Sequence, residues 1–344
     1  MAELDEPPEL RVRDLDVAFS GPAGEVRAAQ KVSFELRKGT TLGIVGESGC
    51  GKSVTLRALC SLVPAPGRVV GGSIELQGRK CSRADLVAAR GKEIAMIFQD
   101  PSSSLNPVIS IGSHIEEVLR VKRRMKSREA RAEARDLLDR VGIPDPAARL
   151  RAYPHELSGG MRQRVMIAMA LAARPRILLA DEPTTALDVT TQEQILQLLL
   201  TLQNETGMAM VIVTHDLAVV ADVCDDVVVM YAGYVVERGS CEDVLTRPKH
   251  PYTRRLLEAM PRLTGTQLPF AIPGQPPDLA ALPPGCPFEP RCSEARPACK
   301  TVDMEAESAT DCACPFASPV DSDGDVRLEK GVDRQQCAQV STSD

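Results

Sequence analysis

A lysine and a hydroxyl at the end of a glycine-rich loop are the first residues in this chain that could do chemistry. Gly46-Glu47-Ser48-Gly49-Cys50-Gly51-Lys52-Ser53 has the spacing G-x-x-x-x-G-K-[ST], follows the apolar run 41–45 and precedes a helix-compatible run from Val54 to Leu62. Glycines at that spacing let successive backbone N–H groups turn inward as a nest for an anion. The following helix points its positive end at the same spot. Lys52 can then reach β- and γ-phosphates, and Ser53 can hold Mg²⁺. The pattern implies a bound nucleoside triphosphate with its magnesium.

A second group of reactive side chains stands at the ends of apolar runs. Residues 176–183, Arg-Ile-Leu-Leu-Ala-Asp181-Glu182-Pro, read as a buried parallel strand that closes on two carboxylates. Asp181 would hold Mg²⁺ through its water shell, and Glu182, pointing differently one residue on, can polarise a water. Gln99 is expected to end a strand over 93–99, and His215 follows a strand over 208–214. In a doubly wound α/β fold such strand ends face the ligand crevice, which makes Gln99 a ligand-facing amide and His215 a γ-phosphate contact. Residues 157–164, Leu-Ser-Gly-Gly-Met-Arg-Gln-Arg, open a further helix. Ser158 is its natural N-cap, and Gly159 and Gly160 let a phosphate approach the first turn. Ala186-Leu-Asp188 is a short turn before a helix over 189–204.

The elements that must position these groups follow from periodicity. Residues 9–38 alternate apolar and polar in two runs around Gly21-Pro-Ala-Gly24, an antiparallel hairpin signal. Phe19, on the first run, is placed either to stack on an adenine or to pack as an edge-strand core residue. Residues 110–173 carry no strand signal, and 127–141 are strongly helical with opposite charges at i,i+3 and i,i+4. This is a helical insertion within an α/β domain. Residues 227–239 read as a closing hairpin.

Composition narrows the class. Hydrophobic content of 43% with 26% charged residues is that of a globular domain, and with 3% aromatics and no Trp its core must be aliphatic. A net charge of −6 argues against a surface that coats nucleic acid. No apolar run approaches the ~18 residues of a spanning helix, and the acidic start Met-Ala-Glu-Leu-Asp-Glu lacks a signal peptide's regions. A cytosolic chain that meets the membrane through a partner is expected.

Six of the eleven cysteines lie after residue 285. Disulfides are disfavoured in a reducing compartment, so this crowding suggests metal chemistry. Cys286-x5-Cys292-x6-Cys299 and Cys312-x-Cys314 are spaced more widely than ordinary zinc modules and miss the ferredoxin runs. Spacing supports a four-thiolate site without naming the metal. Residues 261–284 read as a Pro-rich linker, and beyond 317 the composition predicts disorder.

Taken in order, these motifs resemble the ATP-binding cassette (ABC) ATPases. The loop 46–53, Gln99, 157–163, 177–183, 186–188 and His215 are similar to that family's Walker A, Q-loop, signature, Walker B, D-loop and H-loop. The resemblance spans residues 9–245. It implies an α/β P-loop NTPase cassette with a RecA-like core, an antiparallel β subdomain and a helical insertion over about 105–173. It further implies ATP and Mg²⁺ as cofactors and cassettes that pair head to tail, each ATP lying between one loop and the partner's signature. The roles it implies are phosphate and Mg²⁺ for Lys52 and Ser53, γ-phosphate and Mg²⁺ sensing for Gln99 and metal support for Asp181. Glu182 is the implied base, His215 the γ-phosphate contact, and Ser158 and Gly160 serve the partner's nucleotide. The loop residues 46–54, Phe19, Gly159 and Asp188 complete the expected nucleotide site.

Residues 98–107 (Phe-Gln-Asp-Pro-Ser-Ser-Ser-Leu-Asn-Pro), 250–257, 273–277 and 285–292 (Gly-Cys-Pro-Phe-Glu-Pro-Arg-Cys) resemble the dipeptide/oligopeptide/nickel importer ATPases. That branch implies a second cassette subunit, two permeases and an extracytoplasmic binding protein. The cargo implied is a peptide or, alternatively, a nickel chelate. Some of its members hold a [4Fe-4S] cluster, which here would fall to Cys286, Cys292, Cys299 and Cys314, with Cys312 the rival fourth ligand. Expected boundaries are a cassette over 1–245, a helix and linker over 246–284, a Cys-rich region over 285–316 and a tail over 317–344.

Overall fold

A computed structural model describes residues 6–21, 24–185, 187–260, 272–307 and 310–317. The chain divides into two compact units, one from residues 1–83 and 213–344 and the other from 84–212. Expectations for 261–271 and the tail beyond 317 lie outside the described residues.

The first unit opens with β1 (Leu10–Gly21) and β2 (Gly24–Leu36), an antiparallel pair in the register Leu10↔Leu36 to Gly21↔Gly24. The alternation in the sequence becomes an inward row of Leu10, Val12, Leu15 and Val17, all buried. Next come β3 (Thr41–Val45), α1 (Lys52–Leu59), β4 (Gly67–Leu76) and β5 (Arg79–Cys81). The antiparallel sheet has the order β2-β1-β4-β5.

The second unit follows α2 (Arg83–Ala89) with β6 (Ile94–Ile97), α3 (Pro101–Ser104), α4 (Ile111–Arg123), α5 (Ser127–Arg140) and α6 (Pro146–Arg149). Then come α7 (Gly159–Ala172), β7 (Ile177–Asp181), α8 (Val189–Thr206) and β8 (Ala209–Thr214), whose last residues re-enter the first unit. β6 and β7 run parallel. The helical stretch between them matches the expected insertion, and α5 starts at the predicted residue. One expectation changes. β6 stops at Ile97, so Gln99 sits two residues past the strand, because Asp100 and Pro101 start α3 and Asp100 caps it by accepting from Ser102 N.

Back in the first unit the chain forms α9 (Leu217–Val223), β9 (Asp226–Tyr231), β10 (Tyr234–Ser240), α10 (Cys241–Thr246), α11 (Pro251–Glu258) and α12 (Met304–Glu307). β9 lies parallel to β3, and β10 closes antiparallel on β9 as the hairpin signal predicts. The Cys-rich segment docks on this edge. Arg238 N donates to Asp311 O at 2.9 Å and Ala313 N to Val236 O at 2.8 Å, so residues 311–313 lengthen the sheet by one short bridge.

Candidate nucleotide site

The loop after β3 is shaped by two close backbone approaches. A Cβ on Gly46 would lie 2.1 Å from Met230 O, and one on Gly51 2.1 Å from Ala28 O. Both have positive φ, +151° and +105°, so only glycine meets the space and the conformation together. Gly51 is the N-cap of α1 and brings no side chain to its first turn. Lys52, the first helical residue, is 4% exposed and donates through Nζ to Gly46 O at 2.7 Å and Glu47 O at 2.9 Å. The buried Cys50 thiol lies 3.8 Å from the same Nζ, and burial pushes its pKa up. Ser48 and Gly49 are exposed, and Ser53 and Val54 half-buried, on the open side of the loop.

Two residues that sequence reasoning passed over hold this loop from outside. The Tyr252 hydroxyl accepts from Glu47 N at 2.9 Å. Arg291 grips the Glu47 carboxylate with both ends of its guanidinium, Nη1 to Oε2 at 2.6 Å and Nη2 to Oε1 at 3.0 Å. Both residues lie in segments noticed only for resemblance or for their cysteines. No local signal in Pro-Tyr-Thr or Pro-Arg-Cys marks either side chain as a partner of residue 47.

In the second unit the predicted base and sensor meet. Glu182 follows the fully buried Asp181 at the end of β7 and has φ +46°, a left-handed conformation unusual for a non-glycine residue. Its Oε2 accepts from Gln99 Nε2 at 3.0 Å and from Thr185 Oγ1 at 2.7 Å. A carboxylate held by an amide and a hydroxyl on one oxygen is fixed in direction. Gln99 reaches Glu182 although it has left the strand.

The predicted helix start is formed as expected. Ser158 Oγ accepts from Met161 N at 3.3 Å, and a Cβ on Gly160 would lie 2.7 Å from Thr191 Cγ2. The first turn of α7 therefore packs on the first turn of α8. There Asp188 caps by accepting from Thr191 N at 3.0 Å and Thr191 Oγ1 at 2.7 Å. Those bonds, the backbone N–H first, lower the Asp188 pKa. His215, exposed, links β8 to α9. Phe19 is half-buried on β1 opposite Gly67, where a Cβ would come within 2.5 Å of its ring. That glycine makes room for the ring on β1, which lies between β2 and β4 and is an inner strand rather than the expected edge.

Cys286, Cys292, Cys299 and Cys314 are mutual electrostatic neighbours, and Cys312 neighbours Cys314. Burial first, and these neighbours next, push Cys286 up to about 11. Among the described residues, however, no three His, Cys, Asp or Glu side chains are drawn close enough to hold a metal ion.

A glycine-shaped loop opening α1, a buried strand ending in a held carboxylate and a second glycine-bearing helix start are each what an ABC-type ATPase calls for. The ABC transporter family matches residues 29–185, and the oligopeptide/dipeptide transporter C-terminal region matches 236–299. The chain is 51% identical to the oligopeptide transport ATP-binding protein OppD of Escherichia coli over 85% of its own length and 88% of that protein's. It is 48% identical to the dipeptide transport ATP-binding protein DppD of Bacillus subtilis, covering 85% and 89%. A dimeric ATP-binding cassette, MJ0796, solved with ADP and phosphate, matches 67% of this chain and 98% of its own at 30% identity and TM-score 0.61. The chain belongs to the ABC transporter family, as an ATP-hydrolysing subunit of its oligopeptide and dipeptide import branch.

Proposed function

We propose that Glu182 is the general base of ATP hydrolysis in this peptide importer, with Gln99 and Thr185 fixing its carboxylate. The supporting observation is the pair of hydrogen bonds on Glu182 Oε2, made at a left-handed residue that directly follows a buried strand. Lys52, the loop 46–54 and the start of α1 take the phosphates, Phe19 the adenine, and His215 the γ-phosphate. Ser53, Gln99 and Asp181 would hold Mg²⁺, which neutralises phosphate charge when bound. Ser158, Gly159, Gly160 and Asp188 serve the nucleotide of a second cassette. That cassette, two permeases and an extracytoplasmic binding protein complete the assembly, and the chain lies peripherally on the cytoplasmic face of the membrane. Among the described residues no helix is long and apolar enough to cross a membrane, which supports attachment through partners. The expected boundaries, a cassette to about 245, a linker to 284 and a Cys-rich lobe to 316, stand as part of this reading.

Glu182→Gln should bind ATP as the parent does, while phosphate release from the assembled transporter falls at least a hundredfold. Parental turnover in that variant would remove Glu182 from the chemistry.

For the C-terminal lobe we propose a [4Fe-4S] cluster on Cys286, Cys292, Cys299 and Cys314. The soft donor set and the mutual proximity of these four thiols support it, with Cys312, which neighbours Cys314, the rival fourth ligand. Such a cluster would cross-link the lobe, since its thiols must close in and deprotonate to bind it. Anaerobically purified protein should carry about four irons and four sulfides per chain. Stoichiometric zinc without iron would reject the assignment.

A further inference from the structure

The phosphate-binding loop and the Cys-rich lobe meet at one residue. Arg291 is 9% exposed and lies in a turn one residue before Cys292. Its Nε donates to Pro273 O at 2.9 Å and its Nη1 to the Tyr231 hydroxyl at 3.1 Å, besides the two bonds to Glu47. Three aromatic side chains fix its surroundings. Tyr231, Tyr252 and Phe288 are each at most 1% exposed, with ring centroids 4.6 to 5.3 Å apart. In a chain that is 3% aromatic, this concentration beside the loop is a large local investment in rigidity.

Glu47 is the residue through which that rigidity reaches the loop. Its N–H is held by Tyr252, its carbonyl by Lys52 Nζ and its carboxylate by Arg291. A carboxylate at the edge of an anion nest opposes a triphosphate unless a cation neutralises it. Lys52 is engaged with the loop carbonyls, so the Arg291 fork is what faces this carboxylate.

We propose that Arg291 is a positioning residue for the nucleotide site: it neutralises Glu47 and fixes its place in the loop, so that the C-terminal lobe shapes ATP affinity. This rests on the reading of residues 46–53 as the triphosphate cradle. The lobe thereby becomes part of the binding site it lies outside of, and whatever orders residues 286–292 also sets the loop.

Titration of the full-length chain with a fluorescent ATP analogue and Mg²⁺ tests this. Arg291→Ala should weaken binding about tenfold, and Arg291→Lys, a single charge without the fork, should fall between it and the parent. Adding Glu47→Gln to Arg291→Ala removes the unneutralised charge and should restore affinity to within about threefold of the parent. In the assembled transporter the ATP KM should rise with kcat changed less than about twofold. Parental affinity in Arg291→Ala would overturn the proposal. So would a double variant no better than the single one, because a purely packing role is not rescued by removing charge. Should Arg291→Ala fail to accumulate, Arg291→Gln, which keeps the stem, is read in the same way. Lys52→Ala separates the two ideas: if it binds nucleotide like the parent, the cradle reading itself fails, whatever Arg291 does.

Discussion

The Gly46–Ser53 loop and the Ser158 helix start are both glycine-bearing openings of helices, but they are held by opposite means. At Ser158 the bonds are local: its Oγ takes the N–H of Met161, and Asp188 takes the N–H and hydroxyl of Thr191. At the loop they are remote, from Tyr252 and Arg291, which are 205 and 244 residues away from Glu47. Gly51 brings no side chain to its helix, whereas Ser158 already satisfies one of its own. The first opening is shaped by the fold around it and the second carries its own cap. Removing one local residue should therefore damage the second in a way that stays local, while the loop should respond to changes made far along the chain.

The largest effect expected from this contrast between the two helix starts tests whether Ser158 is more than a cap. Asp is as good an N-cap as Ser, so Ser158→Asp should leave thermal stability near the parent's. It places a carboxylate where the partner's triphosphate is proposed to approach, and ATP turnover of the assembled transporter should fall at least about tenfold. Phosphate-release rates beside a melting curve decide it. Unchanged turnover with unchanged melting would reduce this helix start to a capping motif.

The same contrast explains what could be read from the sequence. The Ser158 cap and the loop opening α1 are local arrangements, so their spacing carries their geometry and both helix starts form where the sequence places them, while Asp188 adds a cap to α8 that its turn alone did not announce. The buried run before Asp181 and the alternation of β1 and β2 were legible for the same reason. The end of β6 was misplaced by two residues because the cap of α3 competes for that stretch. Arg291 and Tyr252 were invisible, since nothing local in Pro-Arg-Cys or Pro-Tyr-Thr says that either side chain reaches back to residue 47. The contact between Gln99 and Glu182 was only half legible: each was singled out, but their bond spans 83 residues.

A smaller effect probes the remote support through pH. His250 is fully buried, accepts from Tyr252 N through Nδ1 at 3.0 Å, and is held by burial, with Arg254 adding, down to about 3. The neighbouring Glu237 accepts from Lys249 N and His250 N. Because the folded His250 pKa is depressed, the unfolded chain binds the extra proton between about 6.5 and 3, so stability falls as pH drops through that window. From pH 6.5 to 5 the loss is about 2 kcal/mol. Burial raises Glu237, which acts with the opposite sign at acid pH, so the difference between variants is the useful quantity. His250→Asn keeps an acceptor for the α11 cap and should flatten this acid loss by about 2 kcal/mol in denaturant titrations at pH 7, 6 and 5. An identical pH profile would mean that His250 does not carry it.

The smallest effect sharpens how the loop divides its support between charge and backbone. Tyr252→Phe keeps the buried ring stack and removes only the oxygen that accepts from Glu47 N. The cost should be about 1 kcal/mol, because Glu47 is only half-buried and water can replace the hydroxyl at its amide. ATP affinity should fall two- to fivefold, about one half of the logarithmic loss expected for Arg291→Ala, and isothermal titration of the two variants side by side measures both. If Tyr252→Phe costs more than Arg291→Ala, the backbone bond rather than the neutralised carboxylate holds the loop. The remote support would then be steric and directional, and salt would leave it untouched; if charge leads, the Arg291 effect should shrink as ionic strength rises.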